Sequence, residues 1–507
     1  MRIEDLTLEE KIGQMLMFAF HGASYNEQLD TQLKEMNIGG IIHFARNIDK
    51  DIEKVKELNN EIWRNSKYPP FIGTDQEGGM VIRVSNGITP FPGAMTLSAT
   101  QKDITNICYY EGCELKNLGF NIVFAPVADV NNNPYNPVIS SRSYSDDPEV
   151  VSKYVNQAVK GFKKANLLST LKHFPGHGDT SVDSHISMPS VKKTMNELEK
   201  IELYPFEDAI KNGCEGIMAA HILYPEIDQT YPATLSEKII KKLLREKMGY
   251  KGLVITDSLT MGAIQANFTN AEIIENCVNA GVDIMMFCGK ADLNDQRDIY
   301  KTFVSLVKEG KIKEETVNEA VERIIELKKK YVLVNSGEID KEKARKEAIS
   351  LFETSVTLVE NEIDVCIKEN EKVLVIFPKV KLATLVDNET SEYRTLKTYL
   401  KDVDEIIIEE SLENFDLVVE KSKKCDKIVM ATLNVKAGDY QTKVFDALDK
   451  EKTVVVSLRS PYDNMYLKGL KNYICLYEVT GNSLESLAKC LKNEKEFKGK
   501  LPVKLVR

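Results

Sequence analysis

No stretch of this chain approaches the ~18 consecutive apolar residues that a membrane-spanning helix requires. Its longest apolar runs, such as residues 15–20 and 284–288, are far shorter, so no helical anchor is expected. Excess positive charge is lacking too. With 67 Lys and Arg against 77 Asp and Glu, the formal net charge is -10. Such a chain repels the phosphates of nucleic acid and the anionic face of a membrane, and neither is expected as a partner. The nine cysteines are odd in number and include no CxxC pair, which argues against a disulfide framework or a thiolate metal site. Residues Met1-Arg2-Ile3-Glu4-Asp5 are acidic where a secretory leader would be basic and then apolar. Reduced thiols and a cytoplasmic location are expected. Histidine is missing from the second part of the chain: His21, His43, His173, His177, His185 and His221 all precede residue 222. Histidine chemistry therefore belongs to the first part.

What is present is the balance of a soluble globular protein, 43% hydrophobic and 28% charged over 507 residues. That length exceeds one ordinary core and suggests two units. Thr7-Leu8-Glu9-Glu10 is a capping-box pattern ahead of the apolar Ile12, Met15 and Leu16, so a helix is expected to open the first unit. Short apolar runs then recur at residues 15–20, 39–44, 70–74, 121–126, 168–173, 216–221, 252–257 and 283–287. Segments 51–65, 151–164, 195–211 and 271–280 between them have helical composition and spacing. Alternating strands and helices, with strands apolar on both faces, imply a helix-covered parallel sheet. About eight such units fit a (β/α)8 TIM-type barrel better than an open sheet. The expected fold is α/β: a barrel over residues 1–335, then a smaller three-layer α/β domain over 340–507. The second unit rests on five further apolar runs, at 373–377, 405–408, 427–433, 453–458 and 473–477.

Chemistry is concentrated in three segments. The densest runs from Lys172-His173-Phe174-Pro175-Gly176-His177-Gly178 through Asp179 to Asp183-Ser184-His185. It follows an apolar strand, which in a barrel is the face where active sites are built. Any one of these residues alone reads as a local loop stabiliser; together they point to a site. The second is Thr256-Asp257-Ser258-Leu259-Thr260-Met261. On an extended strand Leu253, Ile255 and Asp257 share a side, which lifts a carboxylate above two apolar layers. A helix-capping role for Asp257 or Ser258 fits the same spacing. The third is Asp75-Gln76-Glu77-Gly78-Gly79, followed by Arg83, where a glycine pair lets backbone approach a ligand. No lysine-serine/threonine ending makes it a phosphate loop.

Taken together and in this order, the three segments resemble the motifs of glycoside hydrolase family 3, in its β-N-acetylglucosaminidase branch. The resemblance implies a retaining exo-glycosidase without cofactor or metal, removing terminal β-linked N-acetylglucosamine from peptidoglycan- or chitin-derived fragments. It implies Asp257 as the nucleophile, His185 as the general acid/base and Asp183 as the partner of His185. It further implies that Asp75, Arg83, Arg142, Lys172 and His173 bind the sugar. A histidine in the acid/base role departs from the usual carboxyl pair, yet an imidazole oriented by a carboxylate is competent for the task. Lys172 and His173 are adjacent and would face opposite ways on a regular strand, so both reach the sugar only where the strand ends or bulges. Many members carry arginine where Met80 stands here, which implies a less polar entrance to the sugar site. His177 and Asp179 are expected to hold their loop, and His221 either lines the pocket or is structural.

Four alternatives keep most of these residues. A metal-dependent hydrolase would use His173, His177, Asp179, Asp183 and His185 as ligands, although no second His or Asp cluster recurs and Pro175-Gly176 interrupts a helical HxxxH face. A phosphorylase would exploit a neutral histidine base that repels phosphate less than a carboxylate does. A β-glucosidase or β-xylosidase would share the scaffold. A non-catalytic sugar binder would need none of Asp257, Asp183 and His185 in those roles. The sequence leaves the oligomeric state and the role of the second unit open.

Overall fold

The computed structural model describes residues 2–181, 188–289, 292–335, 337–380 and 394–506. The chain opens as its capping box dictates: Thr7 Oγ1 accepts the Glu10 N–H, the Thr7 N–H donates to Glu10 Oε2, and the helix Leu8–Gln14 follows. Strands β1 (Leu16–Phe18), β2 (Gly40–His43) and β3 (Phe71–Thr74) come next, each wholly buried. A short hairpin follows, β4 (Gln76–Gly78) with β5 (Val81–Ile82). Then come β6 (Ile122–Val123), β7 (Leu168–Ser169), β8 (Leu171–Phe174), β9 (Gly216–Ala219), β10 (Leu253–Thr256) and β11 (Met285–Phe287).

All pairings among these strands, the hairpin apart, are parallel, in the orders β11-β1-β2-β3-β6-β7 and β10-β9-β8. Parallel bridges Val127–Lys172 and Ile255–Ile284 join the two groups. Helices connect the strands and start on readable caps. Asp147 accepts the Glu149 and Val150 N–H groups ahead of Pro148–Lys164, and Thr269 with Glu272 forms a capping box for Asn270–Ala280. The expected single helix over 195–211 is two, Met195–Lys200 and Tyr204–Lys211. Pro205 explains the break, since it lacks the N–H a helix interior needs and suits a first turn.

The C-terminal segment forms a second sheet from β12 (Thr357–Asn361), β13 (Val373–Pro378), β14 (Asp404–Ile408), β15 (Lys427–Thr432), β16 (Thr453–Ser457) and β17 (Asn472–Cys475). Its order is β12-β17-β16-β15-β13-β14, parallel except that β12 runs antiparallel to β17. The five apolar runs became five strands. β12 was not expected, because Leu358, Val359 and Glu360 are only half-buried at the sheet edge and the apolar signal is weak. Strand alternation supplies an apolar cluster to each face. Leu374, Ile376, Ile428 and Met430 belong to one, and Val373, Val375, Phe377 and Val429 to the other. Met95 and Ala99, from the helix Ala94–Ala99 of the first part, enter the first cluster, so the two parts share a packed boundary.

Candidate functional site

Two of the three chemically dense segments meet where β3 and β8 end. Asp75 directly follows β3, Glu77 lies in β4, and Lys172 is in β8. Arg142 ends the turn Ser140–Arg142. Lys172 Nζ lies 2.9 Å from Asp75 Oδ1 and 2.7 Å from Glu77 Oε1. Arg142 grips both Glu77 oxygens, at 2.7 and 2.9 Å, while Arg83 reaches Asp75 at 3.4 Å. Three cations and two carboxylates thus form one continuous chain. Burial raises the Glu77 carboxyl, but Arg142 and Lys172 outweigh it and hold the group well below the ordinary carboxylate range. Burial likewise opposes ionisation of Asp75, and Lys172 with Arg83 overcomes it. Lys172, whose side chain is 2% exposed, is pushed down by burial and more strongly up by Asp75 and Glu77, so it stays charged.

His173 is held elsewhere. Its Nδ1 lies 2.7 Å from Asp129 Oδ2, and its N–H donates to Asp129 Oδ1. The His177 N–H donates to the same Oδ1 at 2.6 Å. The ring contact with Asp129 places the proton on Nδ1 and leaves Nε2 as the other functional atom. Lys172 and His173 serve different partners where the β8–β9 register shifts between Leu171 and Phe174. The strand is irregular at the point where the sequence demanded it. His177 is kept neutral, its pKa pushed down to about 4 by burial and by His173, and its Nδ1 contacts Thr180 Oγ1. Asp179 pairs with Lys193 at 2.9 Å. Both therefore hold their loop.

Asp257 follows β10 directly, with its N–H bonded to Ala219 O of β9. Its Oδ1 accepts the Ser258 N–H at 2.6 Å. The next helix, Gly262–Gln265, begins later on Met261, so Asp257 does not cap it. Ser258 is fixed by His221, whose Nε2 lies 2.9 Å from Ser258 O and whose Nδ1 meets Thr234 Oγ1. His221 thus orients the segment that carries Asp257. Buried Cys288, just past β11, has its thiol pushed up to about 12, first by burial and also by the charges of Asp257 and Asp75. Cys288 thus lies within electrostatic reach of both the Asp257 and the Asp75 carboxylates.

Asp183 and His185 lie outside the described residues. The chain on either side of them is anchored. The Asn136 side-chain amide donates to His177 O and Gly178 O, and the Val191 N–H donates to Leu223 O. Two residues at the centre of the site carried no role in the sequence reading. Glu77 sits inside a quoted motif and is signalled by charge balance, since two buried cations need more than Asp75. Asp129 carried no motif signal, and only the fold shows its service to two histidines. Met80 packs against the C-terminal segment, its Sδ accepting the Val479 N–H at 3.3 Å. Among the described residues no group of three or more His, Cys, Asp or Glu is placed to hold a metal ion, and no helix is long and apolar enough to cross a membrane.

The family description "Glycosyl hydrolase family 3 N terminal domain" matches residues 7–327. This chain belongs to glycoside hydrolase family 3. As a member it is a glycosidase. Beta-hexosaminidase A of Pseudoalteromonas piscicida is 30% identical over 98% of this chain and 97% of its own length. A beta-hexosaminidase of Nitrosomonas eutropha is 32% identical over 55% of this chain and 82% of its own. A solved family 3 beta-N-acetylglucosaminidase from Paenibacillus sp. str. FPU-7 has a TM-score of 0.91 and 33% identity, covering 98% of this chain and 99% of that one.

Proposed function

We propose that this chain is a retaining exo-β-N-acetylglucosaminidase working on peptidoglycan- or chitin-derived fragments. The observation that carries the reading is the buried chain Arg83–Asp75–Lys172–Glu77–Arg142, in a protein similar along its length to beta-hexosaminidase A. Asp75, Arg83, Arg142, Lys172 and His173 hold the terminal sugar, with Glu77 keeping the cations charged and placed. Such pre-set charge-assisted donors and acceptors suit a ligand made of hydroxyl and amide groups.

Asp257 attacks the anomeric carbon while His185 gives a proton to the departing glycosidic oxygen, forming a covalent glycosyl-aspartate. His185 then takes a proton from water, whose oxygen attacks the same carbon and releases the sugar and the Asp257 carboxylate. Asp183 orients His185 and stabilises its protonated form. The Ser258 N–H at one Asp257 oxygen keeps that carboxylate oriented.

The parallel strands are read as a closed (β/α)8 barrel over residues 1–335, with residues 340–507 as a smaller three-layer α/β domain. The bridges Val127–Lys172 and Ile255–Ile284 support closure, and the shorter match to the Nitrosomonas protein supports the division. Unpaired cysteines at all nine positions support residence in a reducing compartment.

The test is release of aryl alcohol from an aryl N-acetyl-β-glucosaminide and from the matching β-glucoside, with and without chelator and inorganic phosphate. Chelator-insensitive turnover of the amino sugar is expected, lowered about 10,000-fold or more in Asp257→Ala. Preference for the glucoside, appearance of sugar 1-phosphate, or an active D257A would each overturn the corresponding part of the reading.

A further inference from the structure

The C-terminal segment reaches the sugar-binding network through one buried side chain. Glu478 follows β17 and is 2% exposed. Its Oε2 accepts the Gly93 N–H at 2.8 Å and the Thr96 hydroxyl at 2.6 Å, and its Oε1 accepts the Thr480 hydroxyl at 3.0 Å. Gly93 caps the helix Ala94–Ala99 without a side chain of its own to satisfy the helix start. Glu478 accepts the N–H of this N-cap residue from the other part of the chain, as the N3 side chain of a capping box does.

The capped segment is the backing of the β4–β5 turn. The Gly79 N–H donates to Phe91 O, and Gly78 and Gly79 have φ of +86° and +58°. A Cβ on Gly78 would lie 2.3 Å from Pro92 O, and one on Gly79 would lie 2.9 Å from both Gly93 Cα and Glu478 Oε2. Glu77, the residue before this glycine pair, holds Lys172 and Arg142. Next in line, Met80 accepts the Val479 N–H. Glu478 and Val479 therefore grip both layers, the turn and its backing. Behind Glu77 and Arg142 lies a cavity of about 20 Å³ bounded by Phe91, Pro92 and Ala94. Residues Phe91, Pro92 and Ala94 thus bound the space around the Glu77 carboxylate.

We infer that Glu478 is a positioning residue for sugar binding: by pinning residues 93–96 beneath the Gly78–Gly79 turn, it sets Glu77, and through Glu77 the Lys172 and Arg142 cations. The inference rests on the sugar-binding role proposed above for those cations, not on which sugar is bound. Glutamine keeps an oxygen for Gly93 and Thr96 and turns an amide toward Thr480, whose hydroxyl also accepts. Alanine removes all three contacts. Asp146, which accepts the Lys504 N–H at 2.8 Å, is a boundary contact in a different segment from this turn and serves as the control.

The experiment measures KM and kcat, with thermal unfolding alongside, for Glu478→Ala, Glu478→Gln, Thr96→Val and Asp146→Ala. The substrate is whichever aryl β-glycoside the wild type turns over, so failure of the amino-sugar reading leaves this test intact. E478A is expected to raise KM about 10-fold or more with kcat within about three-fold, and T96V to fall between it and wild type. E478Q and D146A should stay within about two-fold of wild-type KM, even where D146A lowers the unfolding temperature. If E478A does not fold, T96V and E478Q carry the comparison. A wild-type KM in E478A or T96V, an E478Q as poor as E478A, or a D146A that matches E478A would overturn the inference.

Discussion

Two lysines of this protein are almost equally buried and have opposite fates. Lys172 and Lys328 are 2% and 3% exposed. Lys172 faces Asp75 and Glu77 at the ends of β3 and β8 and has a raised pKa. Lys328, in the helix Glu314–Tyr331, donates to the neutral Gln14 amide oxygen at 2.7 Å and lies over the Phe71 ring. Burial pushes its pKa down to about 7. Depth alone therefore does not decide the charge of a side chain; the partner does. The first lysine is kept ionised by two carboxylates, whereas the second fills space with one hydrogen bond.

Removing the charged lysine should have the largest effect. Lys172→Met strands two buried carboxylates, so a loss of about 3–5 kcal/mol is expected in denaturant unfolding. A fall of about 100-fold or more in kcat/KM should accompany it. A well-folded, active K172M would break the contrast at its root. Glu77→Gln gives Lys172 an amide neighbour like that of Lys328, while Asp75 remains. kcat/KM is expected to fall about 10-fold, with the lysine pKa lowered, which 15N chemical shifts of the side chain against pH would read. An unchanged titration would show that Asp75 alone sustains the charge.

Lys328→Met should be the mildest. Turnover stays within about two-fold of wild type and the lost bond to Gln14 costs about 1 kcal/mol. Its pH dependence sharpens the comparison. The unfolded chain holds this proton up to the ordinary 10.5 and the folded chain releases it near 7. Unfolding then takes up a proton in that window, so the stability lost to burial of this lysine is recovered as pH rises. Urea unfolding at about pH 7 and about pH 9 should show wild type gaining on K328M. A constant difference would mean that Lys328 stays charged without a carboxylate.

Much of the site was legible because its chemistry is local in sequence. Asp75 and Asp257 each stand just beyond the end of a buried strand and Lys172 lies within one, where apolar periodicity gives way to polar residues. The parallel α/β pattern was equally plain, since strands buried on both faces read as continuous apolar runs. Edge strand β12 and the β4–β5 hairpin escaped for the converse reason. Half-buried or two-residue strands leave little apolar signal. Met80 Sδ meets the Val479 N–H nearly four hundred positions away, a pairing no local pattern carries.

The sequence alone determined which residues could react and on which kind of element each would lie, because strand periodicity, caps and turn glycines act over a few residues. Only the tertiary structure decided the partners: Glu77 bridging Lys172 and Arg142, Asp129 serving His173 and His177, and Glu478 reaching Gly93 and Thr96 from the far end of the chain. The physical reason is that a buried charge takes its pKa from whatever lies within a few ångströms, and closeness in space between distant segments is created by packing.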